Sequence, residues 1–275
     1  MKQLLIRIYL VGICQLTGKE GKYVKSHIIP KSLTRPKKSG NKFLQPDVKA
    51  PQKRFIKRAD SWYDKSIVIR EGEDFLSDID SHAIDELRAQ GLLWSSDKVR
   101  MQATHSKNEL TVVSFSEPRK IRKYFLSLLW RAAVSTLPEL EDIILNRNQK
   151  EQLRQIIIGE SEDDLSLFPT TLIQLTTEGP AHNFAPIKLK VHDREVYRFY
   201  MNGLIAHIYL HNTNMPVLMN PVPYDHPIFV GSERTLVSQV KTEHSFQLNN
   251  LKRGISELRG ANCEGSVQAL VNKVI

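Results

Sequence analysis

Lys25-Ser26-His27-Ile28-Ile29-Pro30 sets one titratable ring between a lysine and an apolar pair, and a proline closes the run. Histidine is the side chain whose ordinary pKa lets it take or give a proton near neutrality. Pro30 has no N–H to offer a β-ladder and disfavours helix at Ile29, so a strand ends here and the chain turns. A histidine at a strand end beside cationic residues suits a general base acting on a phosphodiester. The competing account of a single histidine is a ring packed at a strand terminus with both nitrogens satisfied.

Charge placement favours the first account. Between Gly18 and Arg58 there are 13 Lys or Arg residues against Glu20 and Asp47, a local excess of +11. The whole chain carries +9, which leaves −2 for the remainder. The basic excess is therefore one patch around and after His27. Such a patch attracts polyanions and binds nucleic acid through phosphates without reading sequence. Lys25, Lys31, Arg35, Lys37, Lys38, Lys53, Arg54, Lys57 and Arg58 are the candidate phosphate-binding residues.

The Ser-His-Ile-Ile-Pro run, following Cys14, resembles HNH endonuclease-like proteins of the ββα-metal kind. Trp62-Tyr63-Asp64, Gly72-Glu73 and Leu92-Leu93-Trp94 sit where such proteins place a second knuckle and helix, and Ser127-Leu128-Leu129-Trp130-Arg131 resembles a downstream helix segment. The resemblance implies that His27 lies on a hairpin and activates water, and that a following helix supplies a metal ligand. It also implies a nuclease effector of bacterial restriction or phage defence, with a protein partner in that complex. Many such proteins hold the hairpin with zinc on two C-x-x-C pairs. Here Thr17, Ile69 and Gly72 stand where three of those cysteines would fall, so no structural zinc is expected. Ser26 replaces the acidic residue that usually precedes the motif histidine. Glu73 is then the best-placed ligand for a hard cation, Mg²⁺ or Mn²⁺, with Asp80 beside it on the helix.

At 275 residues the chain can bury a sizeable core as one or two domains. Cys14 and Cys263 make neither a disulfide framework nor a metal cluster, which fits a reducing cytoplasm. Met1–Leu16 imitates a signal peptide, yet Arg7 interrupts its greasy run and no small-residue cleavage site follows. Ile6–Val11 reads better as a strand, and no stretch approaches a membrane span.

Residues 32–59, broken by Pro36, Gly40, Pro46 and Pro51, read as a long basic inserted loop. A short strand is expected over Ser66–Ile69, then a turn at Glu71-Gly72. A helix over about 73–90 should bury Phe75, Ile79, Ala83 or Ile84, and Leu87, with Glu73, Ser77 and Asp80 on a neighbouring stripe. Leu110–Phe115 is a strand candidate and Ile121–Ser135 a clear helix, with Trp130 in the core and Arg131 snorkelling. One or two helices follow over 139–158, and Glu160–Asp164 reads as a solvated acidic turn. Strands are expected at 169–177, 187–191, 196–201 and 204–210, with Asn202-Gly203 as a tight hairpin turn. His207 and His211 lie too far apart along a strand to share a metal. The tail from Ser232 reads as helix over about 239–251 and 267–274.

The expected fold is α+β: an N-terminal ββα-metal (HNH-like) module over 1–95, then a mixed helix and antiparallel-sheet domain over 96–275. The expected function is metal-dependent cleavage of DNA. His27 is the base, Glu73 and Asp80 hold the cation, and no membrane is involved. The alternatives are a catalytically inactive nucleic-acid-binding or regulatory protein on a decayed module, and a structural subunit docking an acidic partner.

Overall fold

The computed structural model describes residues 11–34, 43–47, 54–58, 60–97, 108–179, 182–191, 194–210 and 229–259. Strands β1 (Val11–Ile13) and β2 (Glu20–Lys22) form a small antiparallel pair. β3 (Ser26–His27) leads into one helical turn, α1 (Lys31–Thr34). The basic insertion contains a hairpin that the sequence does not announce, β4 (Phe43–Asp47) against β5 (Arg54–Arg58). Both strands of a two-stranded ladder are edges, which is where Pro46 can sit without orphaning a central partner. β6 (Tyr63–Asp64) returns to pair antiparallel with β3, and α2 (Arg70–Ala89) follows. Of the strand expected over Ile6–Val11, Val11 alone is among the described residues.

The strand expected over Ser66–Ile69 is reduced to a bend and a single antiparallel bridge, Ile69 to Tyr23. Asp64 Oδ1 accepts from both the amide (2.9 Å) and hydroxyl (2.6 Å) of Ser66, which bends the chain before a ladder can extend. Helix α2 then starts at Arg70, and Gly72 lies inside it. Gly72 is a packing glycine: a Cβ there would come within 2.8 Å of Cys14 Sγ. The buried stripe of α2 is Leu76, Ile79, Ala83, Ile84 and Leu87, whereas Phe75 is 38% exposed. Leu76 keeps the i, i+3, i+7 spacing to Ile79 and Ala83 that Phe75 breaks.

β7 (Asn108–Val113) precedes α3 (Pro118–Val134), which has Pro118 at its first position, where a missing N–H costs nothing. A 3₁₀ turn (Pro138–Leu140) leads to α4 (Arg147–Ile158), bracketed by an Asn146–Gln149 capping box and Gly159 at φ 79°. Strands β8 (Thr170–Leu175), β9 (Ile187–Val191), β10 (Arg194–Met201) and β11 (Leu204–Tyr209) form where the sequence places them; β9, β10 and β11 make an antiparallel meander, and β8 pairs antiparallel with β11. Asn202 and Gly203 both have positive φ, 49° and 83°, as the two-residue turn requires.

The tail differs from expectation. Thr235–Val240 is a strand, β12, and α5 runs from Phe246 to Arg259. β12 lies inside a six-stranded sheet of order β7-β12-β8-β11-β10-β9, antiparallel to β7 and parallel to β8. Buried Gln239 donates to Gln174 Oε1 (2.8 Å), and Gln174 donates to the Gly91 carbonyl (2.8 Å). That amide chain ties β12 into the sheet interior, a tertiary reason that a local reading cannot see.

The acidic turn at 160–164 is not simply solvated. Arg122 of α3 is fully buried, and it donates to Asp163 Oδ1 (2.6 Å), Asp164 O (3.1 Å) and Phe168 O (3.2 Å). One apolar cluster runs from Cys14 and Ile28 through α2 and α3 to Leu172 and Val237, so the β3–α2 region and the large sheet share a core. Among the described residues no helix is long and apolar enough to cross a membrane.

His207 on β11 is buried, and burial followed by the Arg198 charge pushes its pKa down to about 3. A depressed pKa favours the neutral ring in the fold. Its stabilising contribution is whole above about 6.5 and is lost as pH falls from there toward 3. Melting scans of wild type should therefore decline across that window, by up to about 1.4 kcal/mol per pH unit for one proton. His207→Gln should flatten the decline while keeping an acceptor for Arg198. An unaltered acid limb in His207→Gln would assign the loss to other groups.

Candidate active site

Ile28 and Ile29 are fully buried and anchor the end of β3, while His27 stays half-buried. His27 faces Tyr63 across the two-stranded ladder, and the Ile28 amide donates to the Trp62 carbonyl (3.1 Å). The Tyr63 ring meets the imidazole edge-on at 5.9 Å, and the Lys25 ammonium sits 3.8 Å from the Tyr63 ring centroid. Thus the strand end expected from Pro30 holds the ring at the rim of the core.

His27 Nε2 lies 2.9 Å from Asp60 Oδ1. Burial pulls the His27 pKa below its usual value, outweighing the pull of Asp60 in the other direction, and Lys25 and Arg131 add to the lowering. The ring is therefore neutral at pH 7. With Nε2–H donating to Asp60 Oδ1, Nδ1 carries the lone pair, and among the described residues it has no hydrogen-bond partner. Asp60 also accepts from Lys25 Nζ and lies 3.8 Å from Lys31 Nζ. Partial burial works to raise the Asp60 pKa, yet the hydrogen bonds from Lys25 and His27 prevail and hold it low. The arrangement is a carboxylate-oriented neutral imidazole whose carboxylate also faces two ammonium groups.

Asp60 is absent from the sequence-based site. It ends the basic run, and its one visible signal was being an acid among cations just before Trp62. Asp64 is a second omission. It is buried and accepts from Ser66, Ser135 (2.8 Å) and the Thr136 amide (2.8 Å), which locks β6 to the end of α3.

The two expected metal ligands part company. Asp80 forms a bidentate ion pair with Arg131, at 3.0 and 2.5 Å. Arg131 does not snorkel; it is buried, and it also donates to the His27 carbonyl (3.0 Å) and Ser127 Oγ (2.9 Å). One guanidinium thus ties β3, α2 and α3 together behind the catalytic candidate. Asp80 is held by that tie and does not fit a cation site.

Glu73 differs. Its Oε2 and the Ser26 hydroxyl are both buried; neither makes a well-aligned hydrogen bond, and the Ser26 hydroxyl lies close enough to Glu73 to favour its ionised form. Burial raises the Glu73 pKa; the nearby Ser26 and Arg131 oppose the shift, and Asp80 adds to it. A carboxylate oxygen and a hydroxyl oxygen fit a hard cation that keeps most of its waters. Among the described residues no three His, Cys, Asp or Glu side chains group as a ready-made metal site. Cys14 Sγ lies against Gly72, and the Gln15 amide donates to the Ile67 carbonyl (2.9 Å).

The raised Glu73 pKa carries a stability sign. A carboxyl favoured in its protonated form stabilises the fold below its ordinary pKa, and that contribution is lost as pH rises through the folded value. At pH 7 the ionised group is a burden. Glu73→Gln should therefore raise Tm, at roughly 2–4 °C per kcal/mol for a chain of this size. A lower Tm would show the carboxylate to be a structural partner instead.

Arg35, Lys37, Lys38 and Lys53 lie outside the described residues, as does His211; Arg54, Lys57 and Arg58 fall on β5. No protein-family model, curated protein or solved structure matches this chain.

Proposed function

We propose that this chain is a metal-dependent nuclease that cuts DNA phosphodiester bonds from a ββα module formed by β3, β6 and α2. The observation that carries the reading is the His27–Asp60 pair: a neutral imidazole, oriented through one nitrogen, with the other free to take a proton. His27 Nδ1 accepts a proton from the attacking water, and Asp60 fixes the ring and stabilises the imidazolium that forms. Glu73 and Ser26 would hold Mg²⁺ or Mn²⁺, which when bound stabilises charge on the scissile phosphate and the leaving oxygen. The basic patch, beginning at Lys25 and Lys31, holds neighbouring phosphates. A cytoplasmic role in restriction or phage defence, beside a protein partner, belongs to the same proposal.

A second reading has its own support. Asp80 is committed to Arg131, which leaves fewer carboxylates for a cation, as expected of a module that binds nucleic acid without cutting it. The two readings separate on metal. Mg²⁺ should raise the Tm of wild type and permit nicking of supercoiled plasmid, and Glu73→Gln should remove the thermal shift. Nicking that persists in chelator would remove the cation from the mechanism. Silence in every metal, with DNA binding intact, would establish the binding module. Neutralising Lys37, Lys38, Lys53, Arg54, Lys57 and Arg58 should weaken binding and reduce the salt slope by about 0.9 per lost phosphate contact. An unchanged slope would place the DNA on another face.

A further inference from the structure

A cavity of about 240 Å³ opens between the β9–β10 edge of the large sheet and helix α5, lined by Phe184, Ile187, Arg198, Tyr200, Asn250 and Arg253 among others. It shares no residue with the His27 site. Its chemistry is uneven in an informative way. One wall is aromatic: His182 stacks on Tyr200 at 4.4 Å with the planes 9° apart, and Phe184 meets His182 edge-on at 5.3 Å. The Gln247 amide braces His182 Nε2 at 2.8 Å, so the wall is fixed from behind. Beside it, two residues along the same face of β10, the lining turns cationic.

Arg198 is the centre of that cationic stretch. Its guanidinium lies 3.7 Å from the Phe246 ring centroid, and its Nε donates to His207 Nε2 (2.9 Å). Those contacts fix the plane of the fork while leaving its terminal nitrogens without an acceptor among the described residues. Among the described residues no carboxylate pairs with it, and burial lowers its pKa to about 10, with Tyr209 pulling the other way. Half-buried guanidinium groups are ordinarily paired, and the fork geometry matches phosphate and carboxylate bidentately. Arg253 brings a second positive group to the same rim, and Asn250 an amide with both donor and acceptor.

We infer that this cavity binds a nucleoside monophosphate, with Arg198 and Arg253 on the phosphate and the Phe184–Ile187 side and Asn250 on the base. At about 240 Å³ the cavity is smaller than the roughly 300–1,000 Å³ that encloses a drug-sized ligand, so it would hold part of the nucleotide and leave the remainder in water. A free inorganic anion would use the cationic wall and leave the aromatic one idle. An uncharged nucleoside would do the reverse.

The site is tested with adenosine 5′-monophosphate, adenosine and inorganic phosphate, each titrated calorimetrically against the full chain without metal or DNA. The monophosphate should bind more tightly than either fragment. Arg198→Gln should weaken it about 10- to 100-fold, the loss of a charge-assisted contact. Because Arg198 also supports His207, Asn250→Trp serves as the second variant: it fills the mouth and leaves the Arg198–His207 bond intact. It should abolish binding with Tm unchanged. His27→Ala should leave affinity unaltered, which separates this site from the nuclease proposal. Absence of monophosphate binding at millimolar concentration would overturn the inference. So would binding untouched by both pocket variants, or phosphate binding as tightly as the nucleotide.

Discussion

Arg131→Met should be among the most destabilising single substitutions in the chain, costing roughly 3–5 kcal/mol in urea denaturation. The guanidinium is buried and holds both oxygens of Asp80, the His27 carbonyl and the Ser127 hydroxyl. Removing it leaves an uncompensated carboxylate against the core and takes a hydrogen bond from the carbonyl of His27. Breaking one side of such a pair is much worse than replacing both. The double variant Arg131→Met, Asp80→Leu should therefore recover a large part of the loss. If Asp80 instead served a cation, Asp80→Leu would leave stability nearly unchanged and make Mg²⁺ binding fail. That pattern would overturn the assignment of Asp80 to Arg131.

The second large effect concerns rate. His27→Ala should lower plasmid nicking by about 10²–10⁴-fold, the usual worth of a general base. Asp60→Asn should give a smaller loss, because it spoils the orientation of the ring without removing the ring. The losses should combine far from additively, since both residues serve one proton transfer. DNA affinity should barely move in His27→Ala, because the patch and not the imidazole supplies binding. Asp60→Asn has a further signature. It removes the carboxylate that opposes the lowering of the His27 pKa, so the acid limb of the rate profile should shift to lower pH. A limb that stays in place would detach Asp60 from the reacting ring.

Much of this arrangement is legible locally. Pro30 marks the end of the strand that carries His27, Asn202-Gly203 gives the hairpin, and Pro118 and Gly159 bound helices as their backbone preferences dictate. What is not legible depends on partners distant in sequence. Asp60 becomes a site residue only when β6 folds back on β3. Asp80 loses its candidacy to Arg131, fifty-one positions away. The helix expected from about Gln239 gives way at its start to strand β12, where Gln239 meets Gln174. Acidic residues at 160–164 look solvated until Arg122 is seen beneath them. In each case a buried polar group finds its complement across the fold, and hydrophobic periodicity carries no information about that pairing.

The central claim is that His27 performs chemistry and is not merely packed. The direct measurement is nicking of supercoiled plasmid by wild type and His27→Ala in Mg²⁺, with the folded fraction of each protein taken from melting curves at the same pH. The account predicts metal-dependent nicking by wild type and a loss in His27→Ala of at least about 10²-fold beyond any fall in folded fraction. A His27→Ala protein that cuts at the rate set by its folded fraction would contradict it.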